Sequence, residues 1–323
     1  MEHMIELEFE TADEMMAVFG NLDEYIKMIE KATGAVITAK DGKAEIRGDE
    51  ENTAVAYKVL KGASELYQKN EYIDDSRISY LLDVAADKDE KASASASFEG
   101  VVAITHRGKP IKCRSLGQKQ YIEAIDKNTV VFGIGPAGTG KTYLAMAKAV
   151  VALKNKEVSR IILTRPAVEA GEKLGFLPGD LQNKVDPYLR PLYDALYDFM
   201  GSDAYQRLSE KGVIEVAPLA YMRGRTLSDA FIILDEAQNC TMEQMKMFLT
   251  RFGEGSHVVV TGDITQIDLP EERRSGLKRT ADLLQGIDQI AVVQLTNRDV
   301  VRHKLVKDII KAFDKYEKNT HRG

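Results

Sequence analysis

One run of eight residues constrains this chain more than any other: Gly135-Pro136-Ala137-Gly138-Thr139-Gly140-Lys141-Thr142. It matches G-x-x-x-x-G-K-[ST], the pattern of a phosphate-binding P-loop. Glycines at this spacing let backbone N–H groups turn toward phosphate oxygens. Lys141 supplies a positive charge near the β- and γ-phosphates, and the Thr142 hydroxyl can ligate Mg²⁺. The run therefore predicts a nucleotide site in which these eight residues surround the phosphates.

The residues on either side of the loop support this interpretation against the alternative of an ordinary glycine-rich turn. Residues 129–134 have the composition of a short buried strand, and residues 143–151 have the pattern of a helix. A helix that starts directly after the loop aims its N-terminus at the bound anion. The sequence thus predicts strand, loop and helix in the order that phosphate binding requires.

Composition and cysteine usage are those of a soluble globular protein. The 323 residues suggest about two domains, and a hydrophobic content of 44% with 29% charged residues is ordinary for this class. The sequence has no apolar run near the roughly 18 residues of a membrane span, and no signal-peptide core at its N-terminus. Cys113 and Cys240 offer neither a disulfide framework nor a metal cluster. We therefore expect a reduced, cytoplasmic protein with no membrane partner.

Charge is distributed unevenly along the chain. Residues 1–100 carry 11 basic and 23 acidic side chains, a net charge of −12, whereas residues 101–323 sum to +6. A strongly basic nucleic-acid module is therefore excluded from the first third of the chain. Contacts to phosphates are expected from the second two-thirds.

The first hundred residues predict a small α+β domain in the order β-α-α-β-β-α. The predicted elements are a strand at 4–9, helices at 11–19 and 22–31, hairpin strands at 34–39 and 43–48, and a helix from 50 to about 70. A further helix is predicted at 71–86, and the charged, small-residue segment that follows has too little apolar surface to pack. We therefore predict domains at 1–86 and 101–323, joined by a linker at 87–100.

The N-terminal element order resembles a type I KH domain, whose GXXG loop between two helices clamps nucleic-acid backbone. The corresponding residues here are Gly20-Asn21-Leu22-Asp23, in which Asp23 stands in place of the second glycine. A carboxylate that faces phosphates is repulsive. We therefore expect a KH-like fold whose role is docking or oligomerisation rather than RNA binding through this loop.

Two carboxylates follow a buried strand in the second part of the chain. Residues 231–234 are all apolar, and Asp235 and Glu236 come directly after them. Ligands bind at the carboxyl ends of strands in open α/β sheets. We expect Asp235 to hold Mg²⁺ and Glu236 to orient or deprotonate the attacking water.

Two glutamines complete the predicted nucleotide site. Gln266 lies three residues past Gly262-Asp263, at the end of another apolar strand. This spacing resembles motif III of superfamily 1 helicases, in which the glutamine touches the γ-phosphate; a surface loop is the alternative. Gln118 lies 17 residues before the loop and resembles the adenine-reading glutamine of those helicases, because an amide can both donate and accept. An exposed polar helix residue is the alternative for Gln118.

Three arginines are candidates for RNA binding. Arg165, Arg223 and Arg225 lie in loops that are expected to leave the same sheet edge as the nucleotide site. They are therefore predicted to contact RNA backbone, and solvated loop charges are the alternative.

A guanidinium is also expected close to the transferring phosphoryl group. Arg302 is the first candidate for this catalytic finger, ahead of Arg298 and Arg274. The alternative for Arg302 is a salt-bridged arginine at the start of a helix.

Further apolar strands are predicted at 159–164, 212–216 and 288–293. Strands that alternate with helices indicate a right-handed parallel sheet. The predicted fold class is therefore α/β: a RecA-like P-loop NTPase core with a parallel sheet, plus a small α+β KH-like N-terminal domain.

Five stretches together resemble the PhoH-like family of ATPases. They are residues 133–142, 235–239, 261–270, 275–277 and 299–303. The resemblance implies Mg²⁺-dependent ATP hydrolysis, helicase-like motifs and action on RNA. The KH-like N-terminus resembles the branch of the family that is linked to ribosomal RNA maturation. That branch implies partnership with a metal-dependent endoribonuclease and with the ribosome.

Only 53 residues follow Pro270, too few for a second RecA-like domain. We therefore expect a homo-oligomer that completes each site across an interface, rather than a monomer that separates strands. Two other functions stay open. A kinase is disfavoured, because a water-orienting acid promotes hydrolysis. An ATP-gated scaffold would bind a protein, such as a partner nuclease, through the acidic N-terminal domain.

Overall fold

A computed structural model describes residues 3–86, 100–166, 181–269, 274–301, 305, 306, 309 and 313, with no side chain described at 76 or 181–188. The chain divides into two compact units. The N-terminal unit comprises Met1–Glu99, Cys113–Leu116 and Val301–Gly323, and the sheet unit comprises Gly100–Lys112 and Gly117–Val300. The predicted linker lies, except for Gly100, outside the described residues, so the domain boundaries stay a prediction.

The N-terminal unit has the order of elements that the sequence predicts. These elements are β1 His3–Glu8, α1 Ala12–Phe19, α2 Glu24–Thr33, β2 Val36–Lys40, β3 Lys43–Gly48, α3 Glu50–Gln68 and α4 Asp75–Ala85. The strands form an antiparallel sheet in the order β1-β3-β2. Apolar side chains from the sheet and from all four helices form one core, in which Ile29, Ile46, Leu60 and Ile78 are fully buried.

Helix α4 begins later than the sequence pattern predicts. The prediction was a helix over residues 71–86, whereas α4 runs from Asp75 to Ala85. The Asp74 side chain accepts a hydrogen bond from the Arg77 N–H, and the Asp74 backbone is extended. An aspartate in this arrangement caps a helix, so the residues before it lie outside α4.

The sheet unit places a helix between most of its strands. Its elements are β4 Ala103–Ile104, β5 Pro110–Ile111, α5 Leu116–Lys127, β6 Val130–Ile134, α6 Lys141–Lys154, β7 Arg160–Arg165, α7 Leu181–Met200, α8 Ser202–Glu210, β8 Ile214–Pro218, β9 Ala230–Leu234, α9 Met242–Leu249, β10 His257–Gly262, α10 Leu277–Leu284 and β11 Ile290–Gln294. Strands β4 and β5 form a short separate hairpin.

The other six strands form one sheet in the order β11-β6-β10-β9-β7-β8, and every pair in it is parallel. Every residue of β6 and of β9 is buried, as expected for parallel strands that are covered on both faces. This arrangement confirms the predicted α/β class and the parallel sheet of a RecA-like core.

The strand order brings distant residues to one edge of the sheet. Because β6, β10, β9 and β7 are consecutive neighbours, their carboxyl ends lie side by side. Those ends are Ile134, Gly262, Leu234 and Arg165, and the predicted functional residues follow directly after the first three. Among the residues that the structure describes, no helix has the length and apolar character needed to cross a membrane.

Candidate nucleotide site

The phosphate loop connects β6 to α6 as the sequence predicts. Strand β6 ends at Ile134 and helix α6 begins at Lys141. Gly138 and Gly140 have φ angles of +86° and +79°, a region that glycine adopts without steric cost. The loop therefore turns so that α6 starts at the edge of the sheet, with its N-terminus at the predicted anion site.

The Lys141 ammonium group lies against the loop itself. Its Nζ atom donates to the carbonyl oxygens of Gly135 at 2.7 Å and Pro136 at 2.8 Å, and to Thr139 Oγ1 at 3.3 Å. Burial lowers the pKa of Lys141, and the nearby carboxylates of Asp263, Glu236 and Asp235 oppose that shift. The ammonium group thus has hydrogen-bond partners within the loop that the motif assigns to phosphate binding.

The predicted magnesium ligands lie in contact with each other. Thr142 Oγ1 donates to Asp235 Oδ1 at 2.6 Å, and Thr261 Oγ1 donates to the same oxygen at 2.7 Å. Burial raises the pKa of Asp235, and the charge of Arg165 and these two hydroxyls oppose the rise. Hydroxyl and carboxylate oxygens are the donors that Mg²⁺ prefers.

The donor set at Thr142 and Asp235 therefore fits Mg²⁺. Among the described residues, no group of three or more His, Cys, Asp or Glu side chains is placed to hold a metal ion. The other ligands of a magnesium ion here would be phosphate oxygens and water, as is usual for this ion.

Glu236 extends from the end of β9 with a left-handed backbone, at φ +53° and ψ +39°. Arg165 Nη2 lies 2.8 Å from Glu236 Oε1, and Arg165 Nε lies 3.7 Å from Asp235 Oδ2. The Gln238 amide nitrogen donates to Glu236 Oε2. Arg165, which is predicted from the sequence to contact RNA backbone, therefore lies beside the predicted catalytic carboxylates.

Asp263 links the phosphate loop to Gln266. Its Oδ2 atom accepts hydrogen bonds from the Ala137 N–H at 3.0 Å and from Gln266 Nε2 at 2.8 Å. Its Oδ1 atom accepts from the backbone and hydroxyl of Thr265. Burial works against ionisation, but these bonds and the charge of Lys141 lower the pKa of Asp263. The Asp263 carboxylate thus accepts a hydrogen bond from the Ala137 N–H, one of the loop amides that the motif predicts to bind phosphate.

One cleft of about 280 Å³ collects the predicted site residues. Lys141, Asp235, Glu236 and Gln266 all line it. Its other lining residues are Ala137, Gly138, Gly140, Thr142, Tyr143, Gly262 and Asp263. Together with Thr142, the structure therefore brings together all the side chains that the sequence assigns to catalysis and metal binding, apart from Arg302.

Gln118 is buried beside the loop rather than exposed on a helix. Its Nε2 atom donates to the Thr139 carbonyl oxygen at 3.0 Å, and 4% of the residue is exposed. The bond connects α5 to the loop that must hold the phosphates. Recognition of adenine by Gln118 stays a prediction.

The remaining predicted arginines lie in different surroundings. Arg225 forms a two-pronged ion pair with Glu215, at 2.6 and 2.7 Å, whereas Arg223 is exposed. The finger candidates are placed as follows: Arg298 and Arg274 are exposed, and Arg302 lies outside the described residues. The roles of these arginines stay predictions.

Asp263 and Gln238 have no role predicted from the sequence, yet both contact predicted site residues. Gln238 is 1% exposed; its Oε1 atom accepts from the Asp263 N–H at 3.0 Å, and its amide nitrogen reaches Glu236. The signal for Asp263 was present in the run Gly262-Asp263-x-x-Gln266. Gln238 carried the weaker signal of a polar residue two positions past Glu236.

Gly135→Ala should destabilise the sheet unit and weaken nucleotide binding. A Cβ atom at this position would lie 2.5 Å from the Leu295 carbonyl oxygen, a backbone atom held by the β6–β11 pairing. Overpacking of this kind costs about 1–3 kcal/mol. Thermal unfolding and titration with a fluorescent ATP analogue measure the two effects. Gly48→Ala is the control, because its nearest contact would be at 3.5 Å. A Gly135→Ala protein that melts and binds like wild type would contradict this account.

Comparisons with known proteins find relatives along most of the chain. The family model described as PhoH-like protein matches residues 110–314. A PhoH-like protein of Bacillus subtilis (strain 168) is 50% identical over 316 residues, which are 97% of this chain and 99% of that protein. Protein PhoH of Escherichia coli (strain K12) is 43% identical over 233 residues, 70% of this chain and 66% of its own length. A crystal structure of Pif1 helicase from Candida albicans covers 57% of this chain and 39% of its own, with 14% identity and a TM-score of 0.28, a similarity too weak to inform the fold.

Proposed function

This chain belongs to the PhoH-like protein family, and from that premise we propose that it hydrolyses ATP with Mg²⁺ in the service of RNA metabolism. The proposed process is ribosomal RNA processing or ribosome assembly. The observation that supports hydrolysis most directly is the single cleft lined by Lys141, Asp235, Glu236 and Gln266. Their chemical types are those that phosphoryl transfer to water requires.

Each of these side chains has a distinct part in the proposed reaction. The loop amides and Lys141 bind the phosphates, while Thr142 and Asp235 hold Mg²⁺. When bound, Mg²⁺ neutralises charge that develops on the phosphate oxygens. Glu236 orients a water molecule and accepts its proton as the water oxygen attacks the γ-phosphorus, while the bond from the γ-phosphorus to the β–γ bridging oxygen breaks and ADP leaves. Gln266, which also lines the cleft, would contact the γ-phosphate.

RNA is the proposed partner of residues 101–323. Residues 101–323 carry a net charge of +6, and the exposed Arg223 follows β8 at the carboxyl edge of the sheet. The family resemblance adds a metal-dependent endoribonuclease and the ribosome as proposed partners, and we also propose that the chain assembles into a homo-oligomer. In such an oligomer Arg302 would act on its own site or on the neighbouring one.

Structured RNA should raise the ATPase rate of the wild-type chain.

Arg223→Glu should weaken RNA binding and reduce the slope of log affinity against log salt by about 1 to 2, because it replaces one phosphate contact by a repulsion. Lys211→Glu is the matched control, since this exposed residue precedes β8 at the opposite end of the strand. The measurements are phosphate release with and without RNA, and RNA affinity at several salt concentrations.

An RNA-indifferent ATPase would instead favour the second candidate, an ATP-gated scaffold. A groove of about 1160 Å³ in the N-terminal unit supports this alternative. Three exposed carboxylates line it, those of Glu10, Asp23 and Glu24, and no lysine or arginine is among its described lining residues. Its acidic character suits a cationic protein segment and repels RNA. In this alternative, turnover resets a complex with a partner nuclease and does not remodel RNA.

A further inference from the structure

Glu236 is held at both of its carboxylate oxygens. Arg165 Nη2 lies 2.8 Å from Oε1, and the Gln238 amide nitrogen donates to Oε2. The Glu236 side chain is 36% exposed, and a glutamate at such a position ordinarily samples several rotamers. One contact on each oxygen selects a single orientation of the carboxylate.

The backbone at Glu236 also requires support from its surroundings. A φ of +53° is uncommon for a residue with a side chain. Such a conformation persists where several neighbouring contacts hold the residue in place, and residues that adopt it are common at functional sites. The hydrogen bonds from Arg165 and Gln238 are contacts of this kind.

Sheet topology places Arg165 next to Glu236. Arg165 is the last residue of β7, which pairs in parallel with β9, and Thr164 lies opposite Leu234. The planar guanidinium presents several N–H donors in a fixed fork. It therefore reaches the Glu236 carboxylate through Nη2 while Nε faces Asp235. A lysine ammonium keeps the charge but cannot reproduce this fork.

The orientation of the Gln238 amide is fixed independently of Glu236. The Asp263 N–H donates to Gln238 Oε1 at 3.0 Å, so the carbonyl end of the amide must face Asp263. The NH₂ end therefore faces Glu236, and the burial of Gln238 allows little other freedom.

We propose that Arg165 is a positioning residue for hydrolysis: together with Gln238 it fixes the Glu236 carboxylate in the one orientation that meets the attacking water. This inference rests on the proposed ATPase function and deepens it. Arg165 could instead contact RNA or the nucleotide phosphates directly. Each of these two other roles would give a different kinetic result.

Arg165→Ala should lower kcat for ATP hydrolysis by about 10- to 100-fold, the effect of a misplaced reacting group. KM for ATP and the affinity for an ATP analogue should stay within about threefold of wild type, because the phosphate-binding groups are untouched. Arg165→Lys should recover part of the lost kcat. Millimolar guanidinium should raise the ATPase activity of Arg165→Ala and leave that of the wild-type chain unchanged. Arg160→Ala is the control, since Arg160 begins the same strand and bonds to the Ser228 carbonyl at the opposite edge.

Two results of this experiment would overturn the proposal. A rise in KM and in nucleotide dissociation constant at unchanged kcat would make Arg165 a phosphate contact. Unchanged ATPase parameters with weakened RNA binding would make it an RNA contact.

A measurement without nucleotide tests the contact itself. We expect Arg165→Ala and Glu236→Ala each to lower the urea midpoint of the full chain, and the double variant to unfold at about the midpoint of Arg165→Ala alone. Non-additivity of this kind indicates that the two side chains interact. Additive shifts would overturn the proposal even if kcat had fallen.

The two measurements also separate this inference from the proposed function. If the wild-type chain hydrolyses no ATP with or without RNA, the proposed function fails, and with it the positioning role, whatever the urea data show. If wild type hydrolyses ATP while Arg165→Ala keeps the wild-type kcat, only the positioning role fails.

Discussion

Glu236→Gln should reduce kcat for ATP hydrolysis by about 10²- to 10⁴-fold, the usual contribution of a general base, while nucleotide binding stays within about threefold of wild type. The amide has nearly the same shape as the carboxylate and can still accept from Arg165, but it cannot take a proton from water. Lys141, Thr142 and Asp235 are unchanged in this variant. Phosphate release under saturating ATP measures the first effect, and calorimetric titration with an ATP analogue measures the second.

Glu243→Gln is the matched control for this variant. Glu243 is exposed in the first turn of α9 and lies outside the residues that line the nucleotide cleft. The Glu243→Gln substitution makes the same chemical change away from the nucleotide cleft, so it should leave kcat unaltered. A Glu236→Gln protein that hydrolyses ATP at the wild-type rate would show that another group activates the water.

The parts of the site that depend on neighbouring residues in sequence could be predicted. The phosphate loop is one such part, because its turn, its glycines and the helix start at Lys141 are all local. The strands behind it are another. The predicted strand at 129–134 compares with β6 at Val130–Ile134, and the predicted apolar run at 231–234 with β9 at Ala230–Leu234. A short apolar run bounded by polar residues is sufficient to indicate a buried strand.

The neighbours of each strand could not be read from the sequence. Arg165 was correctly expected at the carboxyl end of a strand, but the sequence does not show that β7 lies beside β9. That pairing, and not the identity of Arg165, brings its guanidinium to Glu236. Gln238 likewise meets Asp263 only because β9 and β10 are neighbours. The contacts that hold the Glu236 carboxylate are therefore consequences of sheet order.

A local signal can also be overlooked. The helix expected over 71–86 begins at Asp75 because the Asp74 side chain caps it. Helical periodicity of the apolar residues continues across that aspartate, so periodicity alone extends the helix too far. Asp74 followed by three polar or charged residues is a helix start signal, and it locates the start of α4 better than the apolar Ile73 before it does.

Lys141→Ala should weaken nucleotide binding by about 100-fold or more and remove measurable turnover. Hydrogen bonds to a charged group contribute about 1.5–3 kcal/mol each, and every 1.4 kcal/mol is about tenfold in affinity. Two lost phosphate contacts therefore exceed a factor of about 100. The variant also leaves the carbonyl oxygens of Gly135 and Pro136 without the ammonium that they accept from. Equilibrium titration with a fluorescent ATP analogue measures the loss of affinity.

Lys148→Ala separates the loss of the phosphate contact from a general effect of shortening a lysine on α6. Lys148 lies seven residues further along the same helix and pairs with Asp126 rather than lining the cleft. Thermal unfolding of the nucleotide-free proteins adds a second check, because a Lys141→Ala protein that melts cooperatively near wild type is folded, and its weak binding is then a property of the site. Tight binding by that folded variant would mean that the loop amides alone hold the phosphates and that Lys141 serves the loop carbonyls that it contacts.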